Sequence, residues 1–174
     1  NGERVEFKSG PIVDAVRALV RLNADGSADP TFDAPEVNGF ATSIVQRSDG
    51  KIYVGGSFSF SGTHPGNVLR LHADGTRDTT FAEFFFATAS TLPVLALALD
   101  GSGALQVATS SWIARYTSAG AFDPLLPGVT IGSANGPAIG ALLPRSDGGL
   151  WVAGNFTRIG TAAHEGIGRF APGA

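Results

Sequence analysis

Four arginines, Arg21, Arg70, Arg115 and Arg169, occupy equivalent places in a recurring stretch, and in three copies an aspartate follows eight residues later: Asp29, Asp78 and Asp123. A guanidinium and a carboxylate at this spacing can lock a hairpin as an ion pair. The arginines could instead ring an anionic ligand. If the hairpin has a three-residue loop with its glycine in a bulge, Arg and Asp fall on one face as diagonal neighbours. Gly26, Gly75 and Gly120 stand where that glycine is needed. Repetition favours the structural pair, because a ligand site need be built only once.

Other chemistry is thinner. The stretch NADGSAD, with Asn23, Asp25 and Asp29, resembles an oxygen-rich calcium loop. It lacks the further acidic ligands and the terminal glutamate of such a loop, and its third copy replaces most donors with Thr117, Ser118 and Ala119. Turn chemistry is the better account of Asp-Gly here, so no cofactor is expected and calcium remains the minor option. His64 and His164 lie in corresponding loops and could bind metal or sense pH, but no second ligand type stands at metal spacing. Tyr53 and Trp151 share an aligned strand position suited to packing between units. Trp112, beside a shortened connection, is expected to be the more exposed and could stack on a sugar ring, with core or rim packing the favoured reading because tryptophan is highly buried on average. His64, Trp112 and His164 therefore mark the expected interaction surface. There is no G-x-S-x-G, H-E-x-x-H, G-x-x-x-x-G-K or strand-to-helix G-x-G-x-x-G, so no catalytic residue is expected.

Composition narrows the partners. The 174 residues are 43% hydrophobic and 16% charged, with net charge −3, which suits one globular unit. Mild acidity argues against nucleic acid or an anionic membrane as partner. Cysteine is absent, which excludes disulfides, thiolate metal sites and a cysteine nucleophile. Methionine is absent too and the chain begins with Asn1, so a signal peptide or upstream domain is expected to have preceded it. The apolar run from Phe81 to Leu99 approaches bilayer length, but Glu83 and Pro93 interrupt it and its second half aligns with a strand, so no membrane span is expected.

The elements that must position these residues emerge from self-similarity. RSDGKIYVGGSF at Arg47 returns as RSDGGLWVAGNF at Arg145, with DGSGALQVATSS at Asp100 as a weakened middle copy. RLNADGSADPTFD at Arg21 returns as RLHADGTRDTTFA at Arg70 and, blurred, as RYTSAGAFDPLLP at Arg115. The second unit lacks the loop that carries SGTHPG in the first and GTAAHEG in the third, as when loops vary on a fixed frame. Each unit reads as four short strands, in the first full unit about Ala41–Arg47, Lys51–Ser57, Asn67–His72 and Arg77–Phe81. Ile52 and Val54 share one face, and Leu69 and Leu71 another. A helix competes for PIVDAVRALVRL, and the repeat alignment overrides it for the ALVRL half. The VLRLH-type strands are apolar on both faces, which requires cover on both sides. Stacking small sheets face to face supplies that cover, as the blades of a β-propeller do.

The motif R-L-N-A-D-G-S-x-D-P-T-F followed by D-G-K-I-x-V-G-G-x-F resembles the delta-60 repeat, a bacterial propeller-like repeat of large secreted or surface proteins. The resemblance runs from about Val20 onward and weakens in the second copy, where Ser102 and Thr109 replace motif residues. It implies an all-β fold of four-stranded antiparallel blades, about 45–54 residues each, and an extracellular or cell-surface setting. It transfers no catalytic residue.

The expected organisation is one propeller segment, 1–174, with units near 1–33, 34–82, 83–127 and 128–174. Roughly three and a half units fall short of the four to eight blades of closed rings, so an excerpt of a larger ring, or a partial ring completed by other protein chains, is expected. The expected function is a non-catalytic structural or protein-interaction module, with the loops around Ser61–Gly66 and Thr161–Gly166 as its surface. The alternative is a carbohydrate-binding or carbohydrate-active propeller with a polysaccharide partner.

Overall fold

A computed structural model describes residues 19–59, 66–81, 92–110, 112–123, 129–132 and 138–171. These residues contain strands and turns and no helix. The first sheet runs β1 (Asn38–Gln46), β2 (Ile52–Ser59) and β3 (Gly66–Leu71) in that order, all antiparallel. The second pairs β4 (Val94–Leu99), β5 (Leu105–Thr109), β6 (Trp112–Tyr116) and β7 (Val129–Gly132), then adds β10 (Arg158–Ile159) and β11 (Ala162–Ala163) beyond β7. The third is β8 (Ala138–Pro144), β9 (Leu150–Asn155) and β12 (Ile167–Phe170).

One turn recurs throughout. His72 N–H donates to Thr76 O (2.8 Å) and Gly75 N–H to His72 O (3.0 Å), closing a three-residue loop that ends in a positive-φ glycine. The same pair of bonds closes the turns ending at Gly26, Gly50, Gly103, Gly120 and Gly148. Asp-Gly and its relatives recur because the last loop residue must be left-handed, which glycine adopts without steric cost. The inner strands also share a bulge, at Thr42, Leu95 and Gly140, where one residue slips out of register.

The sheets stack face to face around three apolar layers. Calling the side of each sheet turned toward the next unit its forward face, β3 sends Leu69 and Leu71 rearward with Ile52 and Val54, against Phe32, Ala34 and Val37. It sends Val68 forward with Tyr53, against Val94, Leu97, Leu105 and Val107 of the second sheet. In the second sheet, Ala114 and Tyr116 face back into that layer, while Ala108 and Ile113 face forward onto Ile139, Leu150 and Val152. The two-faced apolar strands thus find cover from neighbouring sheets on both sides. Inner strands are also bonded sheet to sheet: Ser43 Oγ accepts from Leu97 N–H at 3.0 Å, and Thr42 Oγ1 donates to Val94 O.

Several expectations change. Ile52, Val54, Leu69 and Leu71 lie on one common face, because Ile52 pairs with Leu71 and Val54 with Leu69. The expected fourth strand Arg77–Phe81 reduces to a single bridge, Leu71 to Arg77. Asp78 turns the chain there, its Oδ1 accepting from Thr80 N–H (3.0 Å) and Thr80 Oγ1 (2.6 Å) in place of a strand partner. In the second sheet β7 supplies a fourth strand, and β10 of the following unit pairs with it. The loop Thr161–Gly166 is accordingly partly built into a small hairpin: β10 lies on the second sheet's outer edge and β11 becomes the new edge. Val94–Leu99, the second half of the long apolar run, is strand β4. Among the described residues no helix is long and apolar enough to cross a membrane.

Candidate functional site

The repeated arginine sits on the forward face of β3, β6 and β12 and, at Arg21, in the matching stretch before the Gly26 turn. In the first three copies the following turn brings its aspartate back beside it. Asp78 N–H donates to Arg70 O (2.9 Å), which places the Asp78 carboxylate over the guanidinium eight residues back. Arg70 Nε then donates to Asp78 Oδ2 at 2.8 Å and Arg70 Nη2 to Thr80 Oγ1 at 3.1 Å, with the guanidinium 4.6 Å from the Phe81 ring centre. Arg21 repeats the arrangement: Nε to Asp29 Oδ2 at 2.8 Å, Nη2 to Thr31 Oγ1 at 3.1 Å, and Phe32 at 4.9 Å. Stacking on an aromatic ring leaves the fork of N–H donors aimed edgewise, which suits Arg and not Lys.

The remaining nitrogen reaches across to the next unit. Arg21 Nη1 donates to Ala73 O at 2.7 Å, and Arg70 Nη1 to Ser118 O at 3.1 Å. Ala73 and Ser118 are the same position of the same turn, one unit on. Arg47 adds a second bond to Ser118 O, at 3.3 Å. The turn also touches the preceding unit through its glycine: a Cβ on Gly75 would lie 2.9 Å from Asp33 N, and one on Gly120 would lie 3.0 Å from the Phe81 ring. Each motif is therefore half of a clasp between consecutive units, with the arginine forward and the turn carbonyl rearward.

The third copy is rebuilt. Asp100 occupies the place of Arg47, and Arg115 turns to it, donating from Nε (2.9 Å) and Nη2 (2.7 Å) to Asp100 Oδ2, while Nη1 still donates to Asp123 Oδ2. The threonine and phenylalanine that hold the first two copies are Leu125 and Leu126 in this one. Arg169, the fourth copy, approaches Asp147 at 3.5 Å on an exposed surface.

Carboxylate charges are committed to these contacts. Burial opposes the charge on Asp78, but bonds from Lys51 (2.6 Å), Thr80 and Arg70 outweigh it and hold the carboxyl well below the usual range. Asp29 is held low chiefly by Thr31, then by Arg21. Asp147 is held low by Arg145, which grips it through Nε and Nη2. Asp25 Oδ1 accepts from Ser27 N–H (2.9 Å) and Oγ (2.7 Å), the turn chemistry weighed above against a calcium loop. Among the described residues no three of His, Cys, Asp and Glu are grouped to hold a metal ion.

The aromatic and histidine candidates separate. Tyr53 is fully buried, edge-on to Phe81 at 5.4 Å. Trp112 is half-buried against the layer between the first two sheets, so the expectation that it is the exposed indole is corrected: its strand is flanked by β5 and β7. Trp151 is the exposed indole, 36% accessible and beside Arg145. His164 is half-buried, its N–H bonded to Thr157 O at 3.1 Å. His64 lies outside the described residues.

The outermost faces are open. Leu143, Trp151 and Ile167 form the forward face of the third sheet, and Ile167 is 60% accessible where its counterpart Val68 is fully buried. At the other end Val20, Leu22 and Ile44 are exposed, beside a groove of about 320 Å³ also lined by Phe32 and Ile52. Sequence reading paired Arg with Asp but missed the reach to the next turn and the part played by Asp100. The repeated T-F after the aspartate was the visible trace of the threonine and phenylalanine seats.

A family model described as "Domain of unknown function (DUF5122) beta-propeller" matches residues 15–32 and 47–81. Its second stretch spans β2, β3 and the Arg70 clasp. The fold is a β-propeller, unclosed among the described residues. No curated protein sequence matches the chain. Among solved structures, a streptogramin B lyase is similar over 77% of this chain and 41% of its own, at 17% identity and TM-score 0.49. The extracellular domain of a hybrid two component system from B. thetaiotaomicron is similar over 87% of this chain and 17% of its own, at 15% identity and TM-score 0.45. The propeller segment therefore spans under half the length of either structure.

Proposed function

We propose that this chain is a non-catalytic β-propeller segment of the delta-60 type, serving as a structural or protein-interaction module of a secreted or surface bacterial protein. The setting rests on the resemblance of its motifs to that repeat. The observation that carries the interaction role is the forward face of the third sheet. Leu143, Trp151 and Ile167 present there the positions that other units bury against a neighbour. Apolar surface of this kind, rimmed by Arg145, Asp147 and Arg169, is what a protein partner covers. The repeated acids are engaged in turns and ion pairs, which suits a scaffold better than acid–base chemistry.

The test replaces Leu143 with a benzophenone-bearing residue and irradiates the protein in the medium of cells that secrete it. A crosslink to a polypeptide carrying the same repeat is expected. A crosslink to polysaccharide, lost in Trp151→Ala, would overturn the reading in favour of a carbohydrate-binding propeller.

A further inference from the structure

The interface that joins consecutive units has two unlike halves, and each open end of the described structure carries one of them. The forward half is an arginine on the third strand with an aromatic or polar residue directly across from it, as Arg70 stands across from Tyr53. The third sheet repeats this half intact: Arg169 pairs across from Trp151, with Ile167 beside it. Among the described residues its one ion pair is the 3.5 Å approach to Asp147, and it is half exposed.

The rear half is a turn carbonyl, a glycine packed against the preceding unit, and two outward apolar residues on the strand before it. In the second sheet these are Ser118 O, Gly120, Ala114 and Tyr116. The corresponding set at the first unit is Ala24 O, Gly26, Val20 and Leu22. Val20 and Leu22 are exposed, a Cβ on Gly26 would meet nothing within 4 Å, and no hydrogen bond to Ala24 O is recorded among the described residues. Among the described residues the two halves do not meet, since both remain exposed.

We propose that a second copy of this chain docks head to tail: the forward face at Leu143, Trp151 and Ile167 covers Val20 and Leu22 of the next copy, and Arg169 donates to its Ala24 carbonyl. The proposal rests on the interaction-module reading and names its partner. The complementarity is that of an interface the chain already makes twice, between the unit of Arg21 and the first sheet and between the first and second sheets. It uses the same positions and the same arginine-to-carbonyl contact as Arg21 to Ala73 and Arg70 to Ser118. Unlike halves make the association heterologous, so copies add in one direction and end in a ring if the rotation closes.

Sedimentation of the purified chain over a wide concentration range tests this. The wild type is expected to form concentration-dependent assemblies. Ile167→Asp, which spoils the forward half, and Leu22→Asp, which spoils the rear half, are each expected to stay monomeric alone. Mixed in equal amounts they are expected to form a dimer and nothing larger, because each keeps one intact half. Arg169→Ala should weaken association about tenfold, the size of one charge-assisted hydrogen bond. Near-ultraviolet circular dichroism matching wild type confirms that the variants are folded, as expected for residues already exposed. A wild type that is monomeric throughout overturns the proposal. So does a wild type that assembles while one variant alone still forms a dimer, since that pattern belongs to a symmetric contact between two like faces. An equal mixture that stays monomeric overturns it as well. Monomers that still crosslink through residue 143 to a different propeller polypeptide would sink the second copy and leave the interaction-module reading standing.

Discussion

Arg70 and Arg21 share almost every contact, yet they sit in different solvents. Arg70 is 6% exposed and its Asp78 carboxylate fully buried; Arg21 is 40% exposed and Asp29 16%. The bonds to aspartate are equal in length, at 2.8 Å, and both guanidinium groups stack on a phenylalanine. The difference comes from the layer between the first and second sheets, which encloses Arg70, while Arg21 lies beside the open groove lined by Phe32, Ile44 and Ile52. An ion pair closed off from water resists loss of either partner, because the remaining charge has nowhere to be solvated. One that water reaches is replaced by hydration when broken. The same motif therefore clasps two units firmly in one place and loosely in another.

The largest expected effect follows directly. Arg70→Ala should cost about 3–5 kcal/mol, read from urea unfolding, because it removes one of the two cations that the buried Asp78 carboxylate pairs with among the described residues, leaving Lys51 and the Thr80 bonds. A loss no greater than that of Arg21→Ala would break the comparison. Gly75→Ala comes next. Its left-handed backbone costs a β-carbon about 1–2 kcal/mol, and the new atom would also press on Asp33 backbone. Gly26→Ala, with the same backbone geometry and open space around it, should show the backbone cost alone, so the gap between the two measures the contact between units.

Acid sharpens the contrast further. Asp78 titrates below the ordinary aspartate value of about 3.9, so the folded protein binds fewer protons there than the unfolded chain. Its contribution is complete above that pH and is withdrawn as pH falls toward the depressed value. Stability followed below pH about 4 should therefore drop steeply in wild type, and Asp78→Asn should flatten that limb. Arg21→Ala should cost about 1 kcal/mol or less, and added salt should shrink it. The smallest effect is Tyr53→Phe. The buried hydroxyl has no hydrogen-bond partner recorded among the described residues, so its removal should leave the unfolding midpoint unchanged or slightly raised.

Much of the fold was legible because turns and strand periodicity are local. The glycines at 26, 75 and 120 stand in the left-handed turns their Asp-Gly or Ala-Gly context implied, and Arg and Asp eight residues apart meet across those turns. The fourth strand was misjudged at Arg77–Phe81, where Asp78 captures Thr80 and bends the chain away from the ladder. Trp112 and Trp151 exchanged their expected exposures. Burial depends on which sheet lies opposite, and no residue near a tryptophan in sequence reports that. The displacement of Arg115 toward Asp100 was hidden for a similar reason, since the two are fifteen residues apart and meet only because β5 and β6 pair.

The sequence by itself determined the repeat, the turn geometry and the need for cover on both faces of its strands, since these follow from backbone conformation and alternating polarity within a dozen residues. Only the tertiary structure decided that the repeated arginine joins one unit to the next, and that Arg70 is enclosed while Arg169 is not. A guanidinium's worth is set by what excludes water from it, and in this molecule that is a sheet some fifty residues away.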